Sequence, residues 1–149
     1  QNDDGSFAAG VDYPVGAGPR SLDLADLNGD EHLDVVTANH DENQVAIIFG
    51  DGDGAFSAPV GYSVGVQPIS LRVADLNDDG HPEAVVALFG AGAITVLVGD
   101  GQGFSESREF AFAGQPISLE LGDIDGDARL DVVVANFAGA SRVYTHVSQ

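Results

Sequence analysis

The stretch Asp26-Leu27-Asn28-Gly29-Asp30-Glu31-His32-Leu33-Asp34 carries a short side chain ending in oxygen at its first, third, fifth and ninth positions. Alternate residues of a tight loop turn to the same side, so this spacing directs four side-chain oxygens toward one point. The backbone carbonyl of His32, at position seven, can add another. Hard cations such as Ca²⁺ take about six to eight oxygen ligands at roughly 2.3–2.6 Å. The stretch therefore predicts a cation-binding loop.

The same arrangement occurs twice more along the chain. The three copies begin at residues 26, 75 and 123, and each has a bulky apolar residue at position two. A solvated acidic surface would not keep this register through three copies, so three equivalent cation sites are predicted. The other two copies read Asp75-Leu76-Asn77-Asp78-Asp79-Gly80-His81-Pro82-Glu83 and Asp123-Ile124-Asp125-Gly126-Asp127-Ala128-Arg129-Leu130-Asp131.

These loops differ from EF-hand loops, which carry a Glu at position twelve and lie between two helices. Position twelve here is Thr37, Val86 or Val134, each within an apolar run that is rich in β-branched residues. Such runs favour strands. We therefore expect each loop to connect two β-strands.

Alignment on the loops extends the repeat over nearly the whole chain. It predicts a single module, residues 1–149, with repeat units at 2–49, 50–98 and 99–147. Each unit reads as four strands: one after an Asp/Gly turn, an alternating strand before the acidic loop, a continuously apolar strand after it, and a final strand. No window has helical periodicity. The pattern predicts an all-β fold, a β-propeller with three four-stranded antiparallel blades per chain.

The expected turns lie at residues 2–5, 50–54 and 99–103, and the first strand of the second unit is expected at 56–64. Asp51 and Asp53 belong to one of these turns. Asp-Gly pairs in hairpin turns supply positive-φ positions, so turn chemistry explains these two residues without an ion.

The composition excludes several classes of function. The net charge is −19, and the five basic residues, all Arg, are too few for the clustered positive charge that nucleic acid requires. No apolar run approaches the ~18 residues of a membrane span, so membrane insertion is not expected. The chain has no Cys, which removes disulfides and zinc–thiolate sites. The absence of Met is expected of a processed or excised segment.

The chain resembles the FG-GAP/VCBS repeat family, which includes the propeller of integrin α-subunits and many bacterial surface and secreted proteins. The resemblance rests on the three D-x-[DN]-x-D-x-x-x-[DE] loops, on Phe49-Gly50 followed by Ala58-Pro59, and on Leu24-Ala25-Asp26-Leu27-Asn28 and Val73-Ala74-Asp75-Leu76-Asn77. It implies a calcium site in each loop, three per chain, between the first two strands of a blade. The implied ligands are Asp26, Asn28, Asp30, the His32 carbonyl and Asp34; Asp75, Asn77, Asp79, the His81 carbonyl and Glu83; and Asp123, Asp125, Asp127, the Arg129 carbonyl and Asp131.

The sequence departs from the family pattern at position six, where the family usually has Gly at a sharp turn. Gly80 keeps it, whereas Glu31 and Ala128 replace it. Positive φ in a non-Gly residue costs about 1 kcal/mol, so the first and third loops are expected to be strained or to turn differently. The Phe-Gly pair is also lost at Val98-Gly99.

The sequence shows no nucleophile motif such as G-x-S-x-G, no phosphate-binding Gly loop and no His pair at metal-ligand spacing. His40 and His146 stand alone, and we do not expect an enzyme. The resemblance instead implies a secreted or cell-surface recognition module that binds carbohydrate, as propeller lectins do, or a cell-surface partner, with calcium in a structural role. Aromatic residues that could stack on a sugar, or pack in the core equally well, are Tyr13, Tyr62, Phe89, Phe110 and Phe137.

Two alternatives to a recognition module stay open. The first is a structural or assembly fragment of a larger propeller, natural or engineered, that binds no ligand. The second, less favoured, is an enzyme that acts on a polysaccharide. Specific binding to a glycan favours the lectin, no binding favours the fragment, and hydrolysis or lyase activity favours the enzyme.

Three blades fall short of the roughly four to eight that closed propellers typically contain. The chain begins before an outermost strand near Phe7, and its final strand, at 143–147, is the one that would precede such a strand in a blade. A second copy can supply the missing strand, and two copies together have six blades. We therefore predict a homodimer that closes a six-bladed ring, with the rival that the chain is an arc of a longer propeller.

Overall fold

The computed structural model of the chain describes residues 5–7, 9–111, 113–137 and 141–144. Over these residues the chain forms eleven β-strands and no α-helix, which confirms the predicted all-β fold. No described segment is a helix long and apolar enough to cross a membrane. The strands are β1 (Pro19–Ala25), β2 (Asp34–Asn39), β3 (Gln44–Ile48), β4 (Val60–Ser63), β5 (Pro68–Ala74), β6 (Glu83–Leu88), β7 (Ala93–Gly99), β8 (Phe104–Ala111), β9 (Pro116–Gly122), β10 (Asp131–Asn136) and β11 (Arg142–Tyr144).

The strands form three antiparallel sheets. Two have four strands, in the orders β1-β2-β3-β4 and β5-β6-β7-β8, and the third has the order β11-β10-β9. The fourth strand of each larger sheet comes from the start of the next repeat unit, because β4 follows residue 50 and β8 follows residue 99. Within the described residues the third sheet has three strands rather than the predicted four.

Two predicted strands differ from the observed ones. Residues 9–18 form no strand, although the repeat predicted the first strand of the first unit near Phe7, after the turn at residues 2–5. Their counterparts β4 and β8 pair with the third strand of the preceding sheet, and no described sheet precedes the first unit. The strand predicted at 56–64 begins only at Val60, while Phe56 makes an isolated bridge to Gly50.

Some predicted features lie outside the described residues. They are the turn at 2–5, except for Gly5, and the end of the last predicted strand at 145–147, which includes His146.

Each acidic loop joins the first strand of a sheet to the second, which is the strand–loop–strand arrangement predicted from position twelve. The loops lie between β1 and β2, between β5 and β6, and between β9 and β10. Position nine of each loop is the first residue of the second strand. The ninth side chain is therefore held by the sheet, whereas the others are held by the loop.

The apolar second and third strands fill the spaces between the sheets. One buried cluster lies between the first and second sheets, and another lies between the second and third. The alternation of side chains along a strand explains the division, because neighbouring residues point to opposite faces. Val86 thus belongs to the first cluster, and Val85 and Ala87 belong to the second. The three sheets stack face to face.

Side chains of the first strands also join the sheets by hydrogen bonds to backbone. The Leu71 N–H donates to Ser21 Oγ at 3.2 Å, and the Leu119 N–H donates to Ser70 Oγ at 3.2 Å. Ser21 and Ser70 hold the same place in successive repeats, so the same hydrogen bond joins the first sheet to the second and the second sheet to the third. The strands β1, β5 and β9 lie next to one another, and the three acidic loops follow their corresponding ends.

Candidate functional site

The first residue of each acidic loop closes the turn through its carboxylate. Asp26 Oδ1 accepts a hydrogen bond from the Gly29 N–H at 2.8 Å, and its Oδ2 accepts one from the Glu31 N–H at 2.9 Å. The equivalent bond from position six to position one measures 2.8 Å in the second loop and 3.0 Å in the third. The three predicted loops therefore share one local geometry.

The side chains at positions three and five also accept hydrogen bonds from backbone N–H groups of their own loop. The N–H of position five donates to the side-chain oxygen of position three at 3.1, 2.8 and 3.2 Å in the three loops. The N–H of position seven donates to the carboxylate of position five at 2.9, 2.8 and 2.9 Å. Each side chain thus folds back over its own loop.

Position nine supplies a buried carboxylate. Asp34, Glu83 and Asp131 are nearly inaccessible to solvent, and each accepts a hydrogen bond from the N–H of position two, at 2.9, 2.9 and 2.8 Å. A buried charge requires compensation by partners or by a counterion. Asp34 and Glu83 receive their compensation from backbone N–H groups, and no ion pair of the described residues gives either of them a cationic side chain.

Two glycines that the sequence reasoning did not assign to the site also support position nine. The Gly50 N–H donates to Asp34 Oδ1 at 3.0 Å, and the Gly99 N–H donates to Glu83 Oε1 at 3.4 Å. A Cβ on either glycine would collide with a carbonyl of the acidic loop, that of Leu33 in the case of Gly50. The Phe-Gly and Val-Gly pairs were a visible signal for this contact.

The third loop brings three carboxylates close together. One carboxylate oxygen from each of Asp123, Asp125 and Asp131 lies within 4.8 Å of the other two. Two oxygens bound to the same Ca²⁺ at up to about 2.6 Å can be no more than roughly 5.2 Å apart. The spacing therefore fits a shared calcium-sized ion.

The first two loops differ from the third at position three. The Asn28 amide donates to Asp30 Oδ2 at 2.8 Å, and the Asn77 amide donates to Asp79 Oδ2 at 3.0 Å. The third loop has Asp125 at this place, and a carboxylate cannot make that bond. The third loop therefore holds four carboxylates with no amide donor between them.

The electrostatic environment divides the carboxylates into two kinds. Burial raises the pKa of Asp34 and of Glu83 above their ordinary values, although each accepts backbone hydrogen bonds. The Asn28 amide, followed by the N–H of position seven, lowers the pKa of Asp30. The N–H of position six lowers the pKa of Asp75. A bound cation would favour the ionised form at every one of these positions.

The backbone at position six has positive φ in all three loops, at 68°, 85° and 69°. Glu31 and Ala128 therefore adopt the conformation that suits Gly, so that of the two outcomes expected for their loops, strain or a different turn, the structure has the first. Position four also has positive φ, at 74°, 60° and 82°, and in the second loop it is occupied by Asp78. Each loop thus holds one Gly and one non-Gly residue in the left-handed region.

The histidines at position seven make a contact that the sequence did not indicate. A Cβ on Gly52 would lie 2.5 Å from the His32 imidazole, and a Cβ on Gly101 would lie 2.8 Å from the His81 imidazole. Both imidazoles are exposed on their outer side. The Asp/Gly turns therefore lie directly against the acidic loops, and their glycines leave room for the histidine rings.

Among the aromatic residues considered for sugar stacking, Phe110 lines a cavity with Asn77 and Glu83 of the second acidic loop, whereas others pack against aromatic rings. Tyr62 packs edge-on against Phe104, with ring centroids 5.2 Å apart, and Phe89 packs against Phe137 at 6.4 Å. Tyr62 and Phe104 also line a groove of about 280 Å³ between β4 and β8. The groove has hydroxyl and carboxylate groups along its rim, contributed by Ser63, Ser105, Glu106 and Ser107.

Comparison with solved structures finds the crystal structure of BBS1N in complex with ARL6DN, soaked with lead. The superposition has a TM-score of 0.42 at 13% sequence identity, and it covers 82% of this chain and 49% of that one. This chain therefore spans about half the length of that structure. No curated protein matches the chain.

Comparison with family models finds the FG-GAP-like repeat, which matches residues 26–86 and again residues 75–134. The two matches begin at the first residue of the first and second acidic loops. Together they run from residue 26 to residue 134, well over half of the 149 residues, and include all three loops. The resemblance noted in the sequence is confirmed, and the chain belongs to the FG-GAP-like repeat family.

Proposed function

We propose that this chain is a calcium-binding β-propeller module that acts in recognition outside the cell, with one structural Ca²⁺ in each acidic loop. The observation that carries the calcium proposal is the convergence of Asp123, Asp125 and Asp131 within 4.8 Å. Membership of the FG-GAP-like repeat family supports it. The stacking of three similar antiparallel sheets supports the interpretation of each sheet as a blade.

The donor set favours calcium over other metals. Positions one, three, five and nine offer carboxylate or amide oxygens, and position seven offers a carbonyl, so the loop supplies no nitrogen or sulfur ligand of the kind that zinc or copper prefers. Mg²⁺ requires near-octahedral geometry at shorter distances. A flexible set of five or more oxygens suits Ca²⁺ better. The ligands are the fifteen residues named from the sequence, with His32, His81 and Arg129 acting through their carbonyls.

The ion would turn a repulsive loop into a link between two strands. Each loop crowds three or four carboxylates, and their repulsion opposes the turn. A ligand present at 100 times its Kd stabilises the folded state by ~2.7 kcal/mol per site. Three such sites would contribute about 8 kcal/mol, comparable to the ~5–15 kcal/mol total stability of a typical domain.

Calorimetric titration of the metal-free chain tests the proposal. The unaltered chain is expected to bind three Ca²⁺, and Asp79→Ala and Asp127→Ala are each expected to lose one site, because each removes a central carboxylate. Asp53→Ala is the matched control in an exposed Asp/Gly turn, and it should keep all three. Loss of a calcium site in Asp53→Ala, or no calcium binding by the unaltered chain, would refute the assignment of the acidic loops as calcium sites.

The groove beside Tyr62 and Phe104 is the best candidate for carbohydrate. Sugars bind through apolar ring faces and hydroxyl groups, and the groove offers aromatic rings next to Ser63, Ser105 and Glu106. A glycan array with the calcium-loaded chain tests this part of the proposal, with Glu106→Gln as the variant that should weaken any specific binding. No binding across the array would favour the structural fragment, and turnover of a bound polysaccharide would favour the enzyme.

A further inference from the structure

The turn at residues 99–103, which joins β7 to β8, begins in contact with the second acidic loop. Its first N–H, that of Gly99, donates to Glu83 Oε1 at 3.4 Å. A Cβ on Gly99 would lie 2.8 Å from the carbonyl oxygen of His81. The turn therefore starts against two positions of the loop at once, the buried carboxylate of position nine and the carbonyl of position seven.

The middle of this turn is held by the loop and by its own hydrogen bonds. The His81 imidazole lies so close to Gly101 that a Cβ there would be 2.8 Å away. Within the turn, the Asp100 N–H donates to the Gly103 carbonyl at 3.2 Å, and the Gln102 N–H donates to Asp100 Oδ1 at 2.9 Å. A turn braced in this way moves as a unit, so a displacement at its start reaches its end.

The far end of the turn lies against the groove between β4 and β8. A Cβ on Gly103 would lie 2.3 Å from the Tyr62 hydroxyl oxygen, and the φ of Gly103 is 143°, which only Gly adopts readily. The next residue, Phe104, packs edge-on against Tyr62, with ring centroids 5.2 Å apart. Both rings line the groove, so the turn fixes the position of its aromatic wall.

The same series of contacts occurs one repeat earlier, where the turn at residues 50–54 joins the first acidic loop to another aromatic pair. The backbone N–H that supports position nine, the glycine beneath the histidine and the edge-on Tyr–Phe pair are all present. The contacts are Gly50 to Asp34 at 3.0 Å, Gly52 to His32, Tyr13 to Gly54 at 3.2 Å, and Tyr13 to Phe56 at 5.1 Å between ring centroids. The connection from loop to aromatic pair is thus a property of the repeat.

The two aromatic pairs differ in the hydroxyl group of their tyrosine. The Tyr13 hydroxyl donates to the Gly54 carbonyl at 3.2 Å. The Tyr62 hydroxyl, at the corresponding place, makes no hydrogen bond within the described residues, and it is accessible to solvent. The groove therefore has a phenolic hydroxyl that a ligand can use.

The second acidic loop must rearrange where it supports the turn if it is to hold a cation. The Asn77 amide donates to Glu83 Oε1 at 3.2 Å and to Asp79 Oδ2 at 3.0 Å. A cation repels N–H donors, so Asn77 would have to turn its carbonyl oxygen to the ion. Glu83 Oε1, which also accepts the Gly99 N–H, would exchange the amide for the ion. The hydrogen bond at the start of the turn changes as a result.

We propose that the turn at residues 99–103 couples the second acidic loop to the groove, so that calcium in the loop sets the position of Tyr62 and Phe104. Calcium and a sugar in the groove would then affect each other's affinity, because coupling between two binding sites is reciprocal. The inference rests on the calcium and carbohydrate sites of the proposed function. It adds the regulation of one by the other.

Tyrosine fluorescence measures the coupling, because the chain has three Tyr and no Trp. Tyr13→Phe together with Tyr144→Phe leaves Tyr62 as the only tyrosine. Tyr62→Phe together with Tyr144→Phe leaves Tyr13 as the matched reporter for the first loop. Calcium added to the metal-free chain should change the emission of each reporter and its quenching by iodide.

Variants of the loops and turns show which loop each tyrosine follows. Asp79→Ala should abolish the calcium response of the Tyr62 reporter and leave that of the Tyr13 reporter, and Asp30→Ala should do the reverse. Gly101→Ala should diminish the response of Tyr62, because the added Cβ displaces the turn from the His81 imidazole. Gly52→Ala, the same change one repeat earlier, should affect Tyr13 alone.

Calorimetric titration of the same samples counts the bound calcium and separates the two proposals. Calcium bound at the second loop without a change in Tyr62 emission would overturn the coupling and leave the calcium assignment intact. A Tyr62 response that survives Asp79→Ala would overturn it as well. A second loop that binds no calcium would overturn the calcium assignment, and the coupling with it.

Discussion

At the scale of single residues, the acidic loop is a turn that needs two left-handed residues and supplies one glycine. Positions four and six both have positive φ, and each loop has Gly at only one of them. Asp78 tolerates this conformation better than most residues do. Glu31 and Ala128 have no such advantage, so the first and third loops store backbone strain.

Replacing Ala128 by Gly should therefore stabilise the chain. The expected gain is ~0.5–1 kcal/mol in the free energy of unfolding, because Gly adopts positive φ without the steric cost of a Cβ. Ala55→Gly is the control, since Ala55 is exposed and is not among the positive-φ residues. There the added freedom of the unfolded chain should destabilise by a similar amount. Urea denaturation of both variants measures the difference, and a loss of stability in Ala128→Gly would contradict the assignment of strain.

Position three decides how strongly a loop depends on its ion. Asp125→Asn should make the metal-free chain more stable, because the new amide can donate to Asp127 as Asn28 does to Asp30. It should also weaken calcium binding at the third loop, because one negative charge is lost. Asn77→Asp is the reciprocal change and should have the opposite effects on both quantities. Thermal melts with and without calcium measure the stability of the metal-free chain and the stabilisation by calcium. If Asp125→Asn and Asn77→Asp changed the stability of the metal-free chain in the same direction, the result would contradict this account.

At the scale of strands and sheets, the contacts between first strands determine how the sheets stack. Across β5 and β9, the Arg72 guanidinium holds the Glu120 carboxylate with two parallel bonds, Nε to Oε2 at 3.0 Å and Nη2 to Oε1. This hydrogen-bonded pair lowers the pKa of Glu120 and raises that of Arg72. Both side chains are substantially exposed, so the pair contributes no more than about 1 kcal/mol.

This pair makes a prediction about pH. A carboxylate whose pKa is lowered by folding adds stability above its unfolded value, about 4.5, and loses that contribution as the pH falls through the lowered folded value. The unaltered chain should therefore be more stable than Glu120→Gln at neutral pH, and the difference should vanish in acid. It should also shrink at high salt. Urea denaturation of both proteins from pH 7 to pH 3 measures this difference. A difference in the free energy of unfolding that grew as the pH fell would contradict a stabilising role for the Arg72–Glu120 pair.

The acidic loops were predictable because their ligands are local, at fixed spacing within nine residues. The presence of buried strands was also predictable, because runs such as those around Val86 and Val134 are apolar at successive positions and so on both faces of a strand. Contacts between sheets were not predictable, because a bond such as Leu71 to Ser21 joins residues that are 50 apart and depends on how two sheets stack. The strand near Phe7 was predicted from the repeat alone, but a strand also needs a neighbour to pair with, and residues 9–18 form none.

At the scale of the whole molecule, the net charge of −19 opposes a compact state. Three Ca²⁺ would cancel six of these charges at the places where carboxylates are most crowded. They would also tie β1 to β2, β5 to β6, and β9 to β10. The proposed ions therefore act on every sheet of the chain at once.

Thermal unfolding with and without calcium tests this account most directly. Adding millimolar Ca²⁺ to the chelator-stripped chain should raise Tm by about 20 °C or more, given ~8 kcal/mol from three sites. Mg²⁺ should restore little of it. Metal analysis must first show that the stripped sample contains no calcium. An unchanged Tm in that sample would contradict the claim that calcium holds these sheets together.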